Sequence, residues 1–216
     1  MRAEADVRAA IVRDLGCRDI LEIGSGPGHF LDAARALGMR IEGAERSPSA
    51  RGARERGHTI HEAWLQELEL EPRFDAVAMW EVLEHLPEPR AALERVRGLL
   101  RPGGHLALST PSSSGLLARL MGARFVMVEP PAHLELFSRR GLERLLTATG
   151  FSPLRWTTFS GLRRENLRRG LQRYVLGASR PAARVAGALA WAAEPAMRVV
   201  DRAGLGISFE VYAAAR

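Results

Sequence analysis

DILEIGSGPGHFL, from Asp19 to Leu31, joins an apolar run to three glycines at alternate positions and then to a helical pattern. Ile20, Leu21 and Ile23 read as a buried parallel strand, the kind covered on both faces by helices. Gly24, Gly26 and Gly28 let the chain leave that strand in a tight turn with its backbone open to a ligand. Phe30, Leu31, Ala34 and Leu37 then recur at helical spacing, so the first amides of the next helix point back over the turn. A glycine-rich turn by itself is weak evidence for a nucleotide site, and a purely structural turn fits it as well.

The chain beyond the turn keeps the same alternation. Arg40 to Glu45 reads as a second strand ending in an acid, and Ser47-Pro48 opens a helix through Arg56. A carboxylate about 20 residues after such a turn is placed to accept both hydroxyls of a ribose, which makes Glu45 the candidate; a solvated strand-end acid is the plainer reading. His58 to Glu62 gives a third strand and Phe74 to Met79 a fourth. A helix from Arg90 to Leu100 is expected to end at Pro102-Gly103-Gly104, before a fifth strand from His105 to Thr110. A long loop over 111–136 leads to a helix capped by Ser138 and running to Thr149. Leu154 to Phe159 and Ile207 to Ala213 are the last two strands. Upstream, residues 4–15 form a short helix with Val7, Ala10, Ile11 and Leu15 on its inner face. Strict alternation of strand and helix argues for an α/β fold with a parallel, doubly wound sheet that binds ligands at the carboxyl ends of its strands.

Composition sets limits on function. A chain of 216 residues with 46% hydrophobic content suits one α/β domain with a full core. No apolar run approaches the roughly 20 residues of a membrane span, and the first residues lack the apolar stretch of a signal peptide, so a cytoplasmic location is expected. Cys17 has no partner cysteine and reads as a small apolar residue. The net charge is +6 and every basic residue is Arg. The stretch 162–205 holds nine Arg against Glu165, Glu194 and Asp201, so it carries the whole excess; a uniform basic coat is excluded, and nucleic-acid binding is not indicated. Within it, Leu167, Leu171, Tyr174 and Val175 fall at helical spacing, and Pro181 opens a second helix interrupted at Pro195. That helical insertion suits a hairpin roofing a pocket. It also suits peripheral docking on an anionic membrane or on a phosphate-bearing, lipid-linked acceptor, or a protein or dimer contact.

Taken together, five motifs resemble the class I S-adenosylmethionine-dependent methyltransferases of small-molecule type. They are Glu22-Ile23-Gly24-Ser25-Gly26-Pro27-Gly28, Glu45, FDAVAMWEVLEHLPEP at 74–89, LLRPGGHLALSTP at 99–111 and HLELFSRRGLERLLTATGF at 133–151. The resemblance implies a Rossmann-like seven-stranded sheet of order 3-2-1-4-5-7-6 with the last strand antiparallel. It implies S-adenosylmethionine as cofactor and S-adenosylhomocysteine as product. Gly24, Gly26 and Gly28 would pass beneath the methionine and ribose, Glu22 would hold the amino end, and Glu45 would take the ribose hydroxyls. Arg46 would lie against the adenine, with Glu62 accepting from its amino group or Trp64 stacking on its edge. Trp80 and Glu81 would border the sulfonium, where an aromatic face stabilises positive charge. Both tryptophans also have a plainer reading as core residues.

Methyl transfer from a sulfonium is an in-line displacement in which the protein mainly aligns acceptor, methyl and sulfur. Where a general base is needed, His85 and His133 are the candidates, with hydrogen-bonded loop histidines as the alternative. His29, His58, His61 and His105 read as structural, and no metal ligands stand out. A nicotinamide-dependent oxidoreductase shares the turn and the acid. Against it, the third glycine follows one intervening residue rather than two, and no second substrate domain is visible. A non-catalytic cofactor-binding module remains a third reading. The acceptor, small-molecule or lipid-linked, is not spelled out by the motifs; its pocket is expected to be roofed by 111–136 and 162–205.

Overall fold

The computed structural model describes residues 2–160, 168, 172, 177 and 179–216. Its strands are β1 (Asp19–Ile23), β2 (Arg40–Ala44), β3 (Ile60–His61), β4 (Phe74–Trp80), β5 (Leu100–Pro111), β6 (Phe151–Phe159) and β7 (Ser208–Ala215). They form one sheet in the order β3-β2-β1-β4-β5-β7-β6. The pairs from β3 to β5 are parallel, and β7 runs antiparallel to both β5 and β6, as the resemblance implied. The chain winds outward from β1 to β3, then restarts at β4 on the other side of β1. The crevice between the carboxyl ends of β1 and β4 is therefore where the strand order reverses and a ligand can enter.

Side-chain alternation along the central strands decides how the helices pack. Leu21, Val77, Met79, Leu106, Leu108 and Val211 face α4 (Pro89–Leu99) and α6 (Arg139–Ala148) in one buried cluster. The opposite face presents Ile20 and the smaller Ala76, Ala78 and Ala107, which let α1 (Arg2–Asp14) and α2 (His29–Ala36) lie close. Tyr212 and Phe30 fill the space that remains there. The α6 cap is as expected, with Gly141 N–H donating to Ser138 Oγ at 3.0 Å.

Several local expectations are corrected. The buried face of α1 is Ala5, Ala9 and Val12, while Val7 is exposed and Ile11 and Leu15 are only partly covered. Close packing on the alanine-lined sheet favours the small side chains. The α4 helix stops at Leu99, and Pro102-Gly103-Gly104 lies inside β5, where the register against β4 shifts before His105. The 111–136 loop contains α5 (Leu116–Met121) and a 3-10 turn at Gly122–Arg124. The helix opened by Pro181 is α7 (Arg180–Arg202), capped by Ser179 and continuous through Pro195. The first expected helix of that insertion, with Leu167, Leu171, Tyr174 and Val175, lies outside the described residues. Among the described residues, no helix is long and apolar enough to cross a membrane.

The loop after β5 is tied to the start of β7 by Ser112 N–H to the Ile207 carbonyl at 2.7 Å and Leu116 N–H to the Leu205 carbonyl at 2.9 Å. At Gly115 the two backbones come so close that an added Cβ would stand 2.2 Å from the Gly206 carbonyl oxygen. Gly115→Ala is therefore expected to cost about 1–3 kcal/mol in denaturant unfolding. Gly98→Ala, on an exposed turn of α4 with nothing near its Cβ, is expected to be neutral or stabilising by about 0.5–1 kcal/mol.

Candidate active site

The turn after β1 is built on the sheet itself. Gly24 and Ser25 N–H groups both donate to the Ala44 carbonyl, extending the β1–β2 ladder by two residues. The chain then turns through positive φ at Gly24 and Gly26, +71° and +48°. The two glycines serve different ends. A Cβ at Gly24 would meet Val82 Cγ2 at 2.6 Å, so that position is closed by packing, whereas a Cβ at Gly26 would have nothing within 4 Å. Gly26 is thus the open floor of the turn. Gly28 caps α2 in the left-handed conformation.

Glu45 lies against this floor. Its carboxylate accepts from Gly26 N–H at 3.0 Å and from Ser47 N–H at 2.7 Å. Each carboxylate oxygen has further lone-pair capacity, so the group can accept ligand hydroxyls as well. Just beyond, Arg46 stacks 5.3 Å from the ring centroid of the exposed Trp64 and pairs with Glu67 at 3.6 Å. Glu62 is exposed and ion-paired to Arg54.

Buried acids surround the carboxyl ends of β1 and β4. Glu22 is buried with Oε2 unpartnered. Burial pushes its carboxyl well above the ordinary 4.5; Arg8 opposes the shift and the Glu45 charge adds to it. Glu81 follows β4 with φ of +55°, a left-handed conformation rare for a side chain of its size, and is held by N–H donation to the Ser109 carbonyl at 3.0 Å. Burial, with the Glu84 charge adding, raises its carboxyl to about 7, and Oε1 has no partner. Trp80 packs edge-on against Phe30 and Tyr212 with ring centroids at 5.3 and 6.3 Å, and its buried Nε1 is also unpartnered. It is a packing residue and a wall of the site at once.

The two candidate histidines are brought together. Their ring centroids are 4.9 Å apart. His85 Nδ1–H donates to the Ala132 carbonyl and His133 Nδ1–H to the Met127 carbonyl, both at 2.7 Å. A carbonyl can only accept, so in the neutral rings Nε2 carries the lone pair. Between them stands Glu84, which is fully buried. Its Oε2 accepts from Thr110 Oγ at 3.0 Å, while Oε1 is unpartnered and 4.0 Å from His85 Nε2. Its carbonyl receives Leu134 N–H at 2.9 Å and so holds the His133 loop in place. One donor atom from each of Glu84, His85 and His133 lies within 4.8 Å of the others, a set that could hold a divalent ion. The remaining histidines are elsewhere: His58 pairs with Asp32 at 2.8 Å and His61 with Glu42 at 2.7 Å.

Sequence reasoning missed two contributors. Glu84 carried a usable signal, since it adjoins His85 within the quoted EVLEH. Arg8 carried none, because its ion-pair partner lies 202 residues away and its aromatic contact on another strand. Its Nε donates to Glu210 Oε2 at 2.8 Å, and its guanidinium sits 4.3 Å from the Trp80 ring centroid. Tyr212 O–H donates to the other Glu210 oxygen at 2.6 Å.

A raised acid makes stability fall with pH: the folded state keeps a proton that the unfolded chain has already lost. For Glu22 the contribution is full below 4.5 and is lost as pH rises through its higher folded value. Asp19, Asp32 and Asp75 are shifted down, so they act only below 3.8. Melting temperature of the ligand-free protein is therefore expected to fall as pH rises from about 5 through the raised folded values of Glu22 and Glu81, the latter about 7, and Glu22→Gln is expected to flatten that slope. An unchanged slope would remove Glu22 as its source.

Residues 6–155 match the family described as a methyltransferase domain. The ubiquinone biosynthesis O-methyltransferase of Alkalilimnicola ehrlichii is 31% identical over 142 residues, covering 56% of this chain and 54% of that one. The chain thus spans about half the length of the curated relatives it matches. Among solved structures, phosphoethanolamine N-methyltransferase 2 of Haemonchus contortus, in complex with S-adenosyl-L-methionine, superposes with a TM-score of 0.68 at 20% identity. It covers 98% of this chain and 52% of that one. The 1,6-didemethyltoxoflavin-N1-methyltransferase of Burkholderia thailandensis, with bound S-adenosylhomocysteine, gives 0.61 at 20% identity over 98% and 78%. At such identities these structures speak for the fold alone. With the family match over most of the chain and the motifs in register on the sheet, the chain belongs to the methyltransferase domain family, in the class I S-adenosylmethionine-dependent group.

Proposed function

We propose that the protein binds S-adenosylmethionine over the Gly24–Gly28 turn and transfers its methyl group to a small-molecule or lipid-linked acceptor, in the cytoplasm with peripheral membrane contact. The observation that carries the reading is the group of unpartnered buried polar atoms at the carboxyl ends of β1 and β4, Glu22 Oε2, Trp80 Nε1 and Glu81 Oε1, together with the open glycine Gly26 in the turn after β1. Buried polar groups are normally satisfied, and a bound ligand with an ammonium and a sulfonium supplies the positive charge that two raised carboxyls lack. When bound, the cofactor supplies an activated methyl group; the protein's part is to hold and align it.

Glu45 takes the ribose hydroxyls while keeping the turn in shape. Glu22 meets the amino end. Arg46 and Trp64 form the adenine side; Trp64 suits that role better than Glu62, whose carboxylate is engaged by Arg54 in solvent. Trp80 and Glu81 border the sulfonium. His133 and His85 present Nε2 lone pairs next to Glu84, so either can take a proton from an acceptor hydroxyl or amine while the buried carboxyl steadies the imidazolium. A nicotinamide reading has less support, because the family match is to a methyltransferase domain and the third glycine follows one intervening residue rather than two.

A second reading of the acceptor side rests on the convergence of Glu84, His85 and His133. Rings anchored through Nδ1–H on carbonyls are oriented as metal-ligating histidines are, and a divalent ion there would gather acceptor oxygens and ease their deprotonation. The two readings part on chelation. With a metal, chelator lowers both activity and melting temperature and added divalent ion restores them; with a general base, neither moves, and His133→Ala lowers turnover far more than cofactor affinity.

For the cofactor site, calorimetric titration with S-adenosylmethionine is expected to give binding that Glu45→Ala weakens by about 1.5–3 kcal/mol, with Glu45→Gln between the two. NAD is expected to give no heat of binding. Affinity unchanged in Glu45→Ala overturns the ribose assignment.

A further inference from the structure

The insertion's described helix, α7, has three faces. Ala186 and Ala190 are fully buried and mark its inner face. Val185, Leu189, Ala192, Ala196 and Val199 are all exposed and recur at steps of four, three, four and three, so they form one apolar stripe along the helix. Val199 is 64% exposed and Val185 and Leu189 about half. On one flank of the stripe, by the same helical spacing, come Arg184, Trp191 and Arg202, with Trp191 64% exposed. Asp201 falls by spacing on the far side from the stripe, and its Oδ1 accepts from Ser160 Oγ at 2.5 Å. At its C-terminal end the arginine flank reaches a cavity of about 350 Å³, whose lining includes Arg139, Trp156 and Arg202. The Arg139 guanidinium sits 5.0 Å from the Trp156 ring centroid.

We infer that this face of α7 docks on an anionic phospholipid surface, with the apolar stripe and Trp191 at the acyl boundary and the arginines at lipid phosphates. The inference deepens the peripheral-contact reading above and does not depend on methyl transfer. A 23-residue helix without the hydropathy of a membrane span, apolar on one stripe and basic beside it, has the composition of a helix that lies in the interface plane. Arginine stems lie along apolar surface while their charged ends reach the headgroups, and Trp prefers the same depth. A second copy of the chain fits worse. Pairing the stripe antiparallel with itself brings the same flank of each helix together, so Arg184 of one helix would approach Arg202 of the other.

The test is flotation of the full chain with vesicles of phosphatidylcholine alone and with added phosphatidylglycerol, across a salt series. The expected result is binding to anionic vesicles only, weakening as salt rises. Arg184→Gln with Arg202→Gln is expected to reduce the partition coefficient about fivefold per arginine removed. Leu189→Ser with Val199→Ser, both at exposed positions, is expected to reduce it at least as much. Titration with S-adenosylmethionine checks that each variant keeps its fold and cofactor site, which separates failure of this inference from failure of the cofactor reading. No binding to anionic vesicles at low salt, or equal binding to neutral ones, overturns it. So does a dimer in light scattering that the Leu189/Val199 pair dissolves while vesicle binding is absent, which would assign the face to a second copy.

Discussion

Glu45 holds two neighbouring strand ends in one geometry. By accepting Gly26 N–H and Ser47 N–H it ties the turn after β1 to the chain leaving β2. Charge-assisted bonds of this kind are about twice as strong as neutral ones, and here they act at the carboxyl ends of β1 and β2, next to the crevice where the strand order reverses. With the turn held, Gly26 presents bare backbone, α2 starts at Gly28 with its first amides over the turn, and Glu22 is carried beneath them on β1. The same carboxylate that shapes the floor keeps acceptor capacity for a ligand, so structure and binding draw on one group.

Around that floor the protein accepts an electrostatic cost. Glu22 and Glu84 are buried and Glu81 is half-buried, and all three carboxyls are raised by loss of water, with Glu22 and Glu81 raised further by a neighbouring carboxylate. Arg8 offsets part of this from α1, but its own nearest bond goes to Glu210, which also receives the Tyr212 hydroxyl. A site under-supplied with positive charge discriminates in favour of a cationic ligand, because the ligand stabilises the ionised acids as it binds. On the acceptor side, Glu84 gives His85 and His133 a shared neighbour while both rings are fixed from behind by backbone carbonyls. Carbonyls of loop 111–136 therefore set which histidine nitrogen is available.

The sheet was legible because its signals are local. Apolar runs, a glycine turn and strand-end acids sit within a few residues of one another, and β1, β2 and β4 fall where the pattern puts them. Local signals misled where packing overrode them: Val7 suits the inner face of an amphipathic α1 by period, yet the alanine-lined sheet admits only Ala5, Ala9 and Val12 at close range. Pro195 was read as a break, but a helix can retain a proline where its other turns are held, and α7 does. Among the candidate site residues, Gly24, Gly26, Glu45, His85 and His133 could be named from motifs. Arg8 could not, since no spacing rule connects α1 to β7 across the length of the chain. The acceptor stays illegible for a similar reason: its specificity belongs to loop surfaces whose sequence has no period to read.

The central claim is that the open glycine floor and the Glu45 carboxylate form the adenosine site of a methyl donor. The most direct measurement is a crystal structure of the protein grown with S-adenosylhomocysteine. The account expects the ribose hydroxyls on Glu45, the chain of the ligand passing over Gly26, and its amino group at Glu22. Electron density for the ligand away from Gly26, or ribose hydroxyls held by a side chain other than Glu45, would contradict it.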